Sequence, residues 1–214
     1  PGLDGGVHLR SCLGVVQMGA VRELTKADTE VAAASLGDAF ADDPVFGWLG
    51  GFTDDADRMT IQFRQAIRVG FRKPTPLMFT TESTDAVSIW SAPGESDVGL
   101  VEVVRSLPAW LRTYRTGVLR TFGALQAIEK VHPKEEHYYL FALGVRRDKQ
   151  GSGLGSEVIT PMLDRCDAEG LPAYLENSKP KNEAFYVRHG FAPLEPVTLG
   201  AGAPPVTPMW REPR

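Results

Sequence analysis

One local order constrains this chain more than any other feature: a strand, a glycine-rich turn and a helix, read around Gln150-Gly151-Ser152-Gly153-Leu154-Gly155. The run from Tyr138 to Val145 has too few polar residues for a half-exposed strand and is expected to be buried on both faces. A charged turn follows, Arg146 to Lys149. Leu154, Val158, Met162 and Cys166 then recur every four residues, which aligns them on one stripe of a helix that begins inside the glycine stretch. Three glycines in six residues let backbone N–H groups approach a ligand without Cβ atoms in the way, and the helix N-terminus adds partial positive charge. The stretch is thus suited to a polyanion, against the plainer reading of a tight strand-to-helix turn. It is not a Walker loop, because Ser156 and Glu157 stand where Lys and Ser or Thr are required, and Ser156 also breaks the Rossmann glycine spacing from Gly151.

Gln150-x-x-Gly153-x-Gly155 resembles the pyrophosphate loop of the GNAT superfamily of acetyl-CoA-dependent N-acetyltransferases. A second block, Asn182-x-Ala184-Phe185-Tyr186-x-x-x-Gly190-Phe191, is similar to that superfamily's downstream Asn, Tyr and Gly-Phe segment. From His132 to Phe191 the chain most resembles the puromycin N-acetyltransferase type. Pro133-Lys134-Glu135, Leu143-Gly144-Val145, Gln150 to Ser156, Leu175-Glu176-Asn177-Ser178 and Phe185-Tyr186 carry that closer likeness.

The resemblance implies an α/β fold with a mixed, mostly antiparallel central sheet and helices on both faces. It implies acetyl-CoA lying along the strand that ends at Val145, with the backbone of Leu143, Gly144 and Val145 facing its pantetheine arm. The loop Gln150, Gly151, Ser152, Gly153, Leu154, Gly155 and Ser156 would hold the pyrophosphate, and Asn182 would reach the cofactor with its amide. It also places Tyr186 at the family's usual general acid.

The chemistry of such a site asks for a neutral amine and a protonated or hydrogen-bonded leaving thiolate. Glu176, at the end of an expected strand, could take the amine's proton directly or through water, and the Tyr186 phenol could protonate the sulfur. Each also has an ordinary reading, a solvated Glu and a core Tyr. Arg146, Arg147 or Lys149 could neutralise a phosphate or simply be solvated. The expected acceptor is a primary amine of a small molecule, with a puromycin-like aminonucleoside as nearest analogy. A non-catalytic acyl-CoA-binding module and transfer to a protein N-terminus or lysine remain as alternatives.

At 214 residues and 43% hydrophobic content, the chain is most simply one domain. A net charge of -4 without a basic cluster argues against nucleic acid or an anionic membrane as partner, and no run reaches the ~18 apolar residues of a membrane helix. Cys12 and Cys166 cannot build a disulfide framework, and His8, His132, His137 and His189 are scattered, so no metal site is visible. A cytoplasmic monomer or homodimer is expected. Residues 1–17, with four glycines and no initiating Met, read as a leader outside the core fold, the competing reading being an edge strand from Leu9 to Gln17. The acetyltransferase domain is expected to span residues 18–214.

Along that span, Gly19 to Leu24 reads as a first strand. Thr25-x-x-Asp28 reads as a capping box opening a helix with Val31, Leu36 and Phe40 on its apolar side. That helix ends at Asp42-Asp43-Pro44, and Phe46, Trp48 and Leu49 fall in a loop as core or as a wall of an acceptor pocket. A helix over 54–72, a strand pair at 77–81 and 86–90, and a helical stretch over 98–130 broken near Pro108 and Gly117 come next. Trp110, Tyr114 and Phe122 in that stretch are candidates for acceptor contacts. After the glycine-led helix, strand 172–175, a short helix over 181–189, a strand that starts at Gly190-Phe191 and an edge strand from Val206 to Arg211 complete the chain.

Overall fold

The computed structural model describes residues 21–95 and 100–214. The expectation for residues 1–17 lies outside the described residues, as do the first two residues of the strand expected from Gly19.

The strands are β1 (Val21–Glu23), β2 (Leu77–Thr81), β3 (Ala86–Ser91), β4 (Tyr138–Val145), β5 (Ala173–Asn177), β6 (Ala192–Pro193), β7 (Val197–Thr198) and β8 (Pro205–Arg211). The helices are α1 (Thr29–Phe40), α2 (Pro44–Gly50), α3 (Ala56–Gly70), α4 (Leu100–Tyr114), α5 (Val118–Val131), α6 (Leu154–Glu169) and α7 (Glu183–Arg188). The strands form one mixed sheet in the order β1-β2-β3-β4-β5-β8-β6, with β7 also on β8. All neighbouring pairs are antiparallel except β4 and β5. Helices α1 and α3 cover one face through Leu36, Met59, Phe63 and Ile67 against Met78, Val87 and Ile89. Helix α6 covers the other through Ile159, Met162 and Leu163 against Trp90, Leu140 and Leu175. Each such fully buried side chain contributes about 1.5–3 kcal/mol.

The parallel pair is the feature that makes the site. β4 and β5 are in register only at Tyr138↔Ala173 and Tyr139↔Tyr174, after which the two strands separate. On its other side β4 stays paired to β3, but with a bulge: Ile89 faces Ala142 and Trp90 faces Leu140, leaving Phe141 as the extra residue. A bulge bends and twists its strand, which here accompanies the divergence of β4 from β5. It also changes which residues face which side, so β4 is not buried on both faces as its composition suggests. Phe141 is 39% exposed, and Leu143 and Val145 are half-buried along the gap.

Several other local expectations change. The Thr25–Asp28 box is present, with the Asp28 carboxylate accepting from the Thr25 N–H at 2.8 Å, but it opens a short 3-10 turn and α1 begins at Thr29. Ala32, Ala33 and Leu36 face the core, whereas Val31 is exposed. Phe46, Trp48 and Leu49 lie in a helix: Asp43 caps it by accepting from the N–H groups of Val45 (2.9 Å) and Phe46 (3.1 Å), and Pro44 fills its first turn. Asp-Pro was therefore a start signal as much as a stop. Pro108 sits inside α4 without ending it. β8 is an interior strand, paired with β5 over five residues and with β6 on its other side.

Candidate active site

Where β4 and β5 part, a groove of about 420 Å³ opens, floored by the ends of both strands and flanked by α6, α7 and the chain between α1 and α2. Past Tyr139 the edge of β4 facing β5 has no strand partner, so its backbone from Leu140 to Val145 is available to a ligand.

The glycine loop forms one wall. Gly153 adopts φ +95° and Gly151 φ +79°, left-handed conformations that favour glycine, and a Cβ at either would meet nothing within 4 Å. The space over them is open for an approaching group. Gly153 is the N-cap of α6, and the first helical N–H groups pointing out of such a terminus lack intrahelical acceptors. Gly155 has a packing role instead, since a Cβ there would press on Phe185 at 3.2 Å. The Gln150 amide closes the loop onto the Val145 carbonyl at 3.1 Å.

Leu143, Gly144, Val145, Gln150, Gly151, Gly153, Leu154, Gly155, Ser156, Asn182, Glu176 and Tyr186 all line the groove. Ser152 does not; its hydroxyl turns back to the Lys149 carbonyl at 2.5 Å. Lys149, Lys181 and Arg188 supply cationic side chains at the rim. Arg146 and Arg147 are engaged elsewhere. Arg147 binds Asp54 through both terminal nitrogens (2.8 and 3.0 Å) while its N–H donates to Asp38, and Arg146 pairs with Asp148 at 3.2 Å. These contacts tie the turn before the loop to α1 and to the segment leading into α3.

Tyr186, on α7, is buried between the Phe185 and Phe191 rings. Burial, with a smaller contribution from the Asp43 carboxylate, pushes its phenol well above the usual tyrosine range. Tyr186 is therefore a protonated donor throughout the working pH range. Asp43 lines the same groove and was legible only as a helix boundary. Its second oxygen accepts from the Ser178 hydroxyl at 2.5 Å, and burial raises its pKa against those hydrogen bonds and the nearby Lys179.

Glu176 sits on β5 with its side chain 8% exposed. Tyr139 donates to its Oε2 at 2.7 Å. Its Oε1 is buried without a hydrogen-bond partner and lies 3.6 Å from His132 Nδ1. His132 Nε2 in turn lies 3.1 Å from His137 Nε2. Desolvation, then the Glu176 charge, raises the Tyr174 phenol, whose hydroxyl is buried without a hydrogen-bond partner, and desolvation is also the main cause for Tyr139. None of His132, His137 or Tyr139 carried a recognisable signal in sequence, because each gains its meaning from a residue on another strand.

The aromatic residues singled out for acceptor contacts in the helical pair take the packing role. Trp110 and Tyr114 are buried with Leu49, Val118, Leu199 and Val206, and none of Trp110, Tyr114 and Phe122 lines the groove.

A split parallel pair beside a glycine-capped helix now has a sequence counterpart: residues 81–191 match the family model of the acetyltransferase (GNAT) family. The chain belongs to the GNAT family. Members of this family generally use acetyl-CoA. An uncharacterized N-acetyltransferase of Schizosaccharomyces pombe is 29% identical over 193 residues, covering 84% of this chain and 77% of that protein. In fold, the chain is similar to a structure described as histone acetyltransferase HPA2 and related acetyltransferase from Corynebacterium glutamicum. That likeness has a TM-score of 0.64 at 21% identity, covering 92% of this chain and 97% of the other. It is also similar to the Drosophila melanogaster polyamine N-acetyltransferase, described as forming N-acetylagmatine, with a TM-score of 0.61 at 13% identity over 90% and 99% of the two chains. These likenesses support the GNAT fold with its mixed, mostly antiparallel sheet. Among the described residues, no helix is long and apolar enough to cross a membrane and no group of His, Cys, Asp and Glu could hold a metal ion.

Proposed function

We propose that this GNAT-family protein transfers an acetyl group from acetyl-CoA to a primary amine of a small molecule, working in the cytoplasm. The observation that carries this reading is a single groove lined at once by an open glycine loop, a bare strand edge, a carboxylate and a protonated phenol. The fit to the cofactor rests on the loop and the edge. Open space over Gly151 and Gly153 and the outward N–H groups of the α6 N-terminus suit a diphosphate, and the backbone of Leu143 to Val145 suits a pantetheine amide chain. Gln150, Leu154, Gly155, Ser156 and Asn182 complete the cradle, with Lys149, Lys181 and Arg188 as charge complement.

When bound, acetyl-CoA supplies a thioester carbonyl that an amine can attack. Glu176 takes a proton from the amine at a carboxylate oxygen, and Tyr186 keeps a proton at Oη for a leaving thiolate. The apolar residues around the groove, Leu140, Phe141 and Leu175, limit water beside these two groups. A puromycin-like aminonucleoside is the nearest analogy for the acceptor, supported by the sequence likeness between His132 and Phe191. Description of a fold neighbour as a polyamine N-acetyltransferase favours small amines more broadly.

The deciding experiment is a thiol-release assay with acetyl-CoA across aminonucleosides, polyamines, arylalkylamines and peptides. Turnover on at least one small amine is expected. Binding of acetyl-CoA with no turnover on any acceptor would point to a non-catalytic acyl-CoA-binding module, and turnover on peptides alone to a protein acetyltransferase.

A further inference from the structure

We infer that Phe141 is the specificity-determining residue of the acceptor site, and that the preferred acceptor is a primary amine joined by a short chain to an aromatic ring. The inference rests on the reading of the groove as an acetyltransferase site with Glu176 as base, and narrows it.

The face on which Phe141 stands follows from the strand pattern. Ahead of the bulge, Leu140 packs with Ile159, Met162 and Leu163 of α6, so its neighbour Tyr139 points to the opposite face of the sheet. Beyond the bulge, Ala142 packs with Leu36, Phe63 and Val87 on the side of α1 and α3. The ring of the extra residue, Phe141, meets that of Tyr139 in an edge-to-face contact at 6.4 Å, which puts both on that side. Glu176 stands there too, since Tyr139 donates to its Oε2 at 2.7 Å. One ring thus separates Phe141 from the carboxylate that receives the amine's proton.

Among the described residues, four aromatic side chains line the groove: Phe40, Phe141, Phe185 and Tyr186. Three of these rings are packed. Phe40 lies against Phe46 and Phe63 with the Lys179 ammonium 6.0 Å from its centre. Phe185 lies against Tyr186 and His189 with the Arg188 guanidinium at 4.9 Å, and Tyr186 sits between Phe185 and Phe191. Phe141 meets the ring of Tyr139 and, alone of the four, is exposed. An aromatic face left open inside a groove is a contact surface for another ring, in an offset or edge-to-face pair with centroids ~4.5–7 Å apart. Side chains stand roughly perpendicular to the sheet, so the Phe141 ring and the bare in-plane edge of β4 are separate surfaces that can be occupied together. Charge favours a neutral ring over the second ammonium of a polyamine. Four cations, Lys149, Lys179, Lys181 and Arg188, line the groove against two carboxylates, Asp43 and Glu176, and Glu176 is engaged by the reacting amine.

The test is thiol release from acetyl-CoA by the full chain on three acceptors, 2-phenylethylamine, propylamine and putrescine, for wild type, Phe141→Leu and Phe141→Ala. Because Phe141 is exposed, truncating it leaves no core cavity, and circular dichroism checks that each variant is folded. The quantity read is the ratio of kcat/KM for 2-phenylethylamine to that for propylamine, in which any general loss of activity cancels. Phe141→Ala should lower this ratio about tenfold, mostly through KM. Phe141→Leu keeps apolar area but loses the π face, and should lower it about threefold. Wild type should also turn over 2-phenylethylamine with a higher kcat/KM than putrescine. A ratio that Phe141→Ala leaves unchanged, a wild-type ratio in Phe141→Leu, or a preference for putrescine overturns the inference while the acetyltransferase reading stands. Turnover of no amine by the wild type removes both.

Discussion

The two walls of the groove are built on opposite plans. On the α6 side the working groups are backbone N–H groups and a helix terminus, supplied by six consecutive residues of which Gln150 to Gly153 are exposed. On the β5 side they are side chains, drawn from positions 132, 137, 139, 174 and 176, buried or half-buried and in contact with one another. The difference follows from what each wall would have to do. A phosphate keeps its charge, so fixed dipoles suffice and no side chain need titrate. A proton transferred from an amine requires groups that change charge, and such groups need neighbours that hold them in a set tautomer away from competing water. The two walls also fail differently: the first through backbone strain, the second through loss of a single hydrogen.

Tyr186→Phe should have the largest effect. It keeps the ring between Phe185 and Phe191 and removes only the O–H, so acetyl-CoA binding should persist while kcat falls ~10²-fold. Stopped-flow thiol release with parallel calorimetry reads both quantities, and equal rates for the two proteins would remove the phenol from the chemistry.

Gly153→Val attacks the other wall and should change binding without a comparable effect on the side-chain corner. Holding a branched residue at φ +95° costs about 1–3 kcal/mol, so the loop should relax out of its binding shape and acetyl-CoA affinity should fall roughly 30-fold. Ser152→Ala is the matched control. Because that hydroxyl only bonds the Lys149 carbonyl and does not line the groove, affinity should stay within about twofold, the scale of a surface change of ±0.5 kcal/mol. A large loss from Ser152→Ala would show that side chains, and not backbone alone, build this wall.

The smallest expected effect is on stability. Folding lowers the pKa of His137 below its ordinary value near 6.5, so between that value and the lower folded one the unfolded chain binds more protons. Stability contributed by the buried neutral ring is therefore complete above pH 6.5 and declines as pH falls through that window. Thermal melts should show Tm falling across it, and His137→Phe should flatten that part of the profile. An unchanged slope in the variant would place the acid sensitivity elsewhere in the molecule.

Much of the fold was written locally. The four-residue periodicities at Met59, Phe63 and Ile67 and at Val158, Met162 and Cys166 gave buried helix faces, and the turn-bounded runs at 77–81 and 86–90 gave a strand pair, the second one residue longer in the fold. The glycine loop was legible too, since the conformational freedom of Gly151 and Gly153 belongs to the residue itself and its placement between strand and helix is a matter of adjacent sequence. Other features depended on partners far along the chain. Nothing near Phe141 announces a bulge, because a bulge is a mismatch of register with β3, and nothing near Val206 shows that β8 would lie between β5 and β6. Asp43 looked like punctuation until Ser178, 135 residues away, met its carboxylate. His132 and His137 looked scattered because contacts across the fold have no period; they exist only where β4 and β5 bring Tyr139 and Glu176 beside the segment before β4. Sequence by itself determined most of the elements and the glycine turn between strand and helix, whose physics is that of neighbouring backbone. Tertiary structure alone decided the side-chain corner around Glu176, since burial and the contacts of each carboxylate oxygen are properties of the packed strands together.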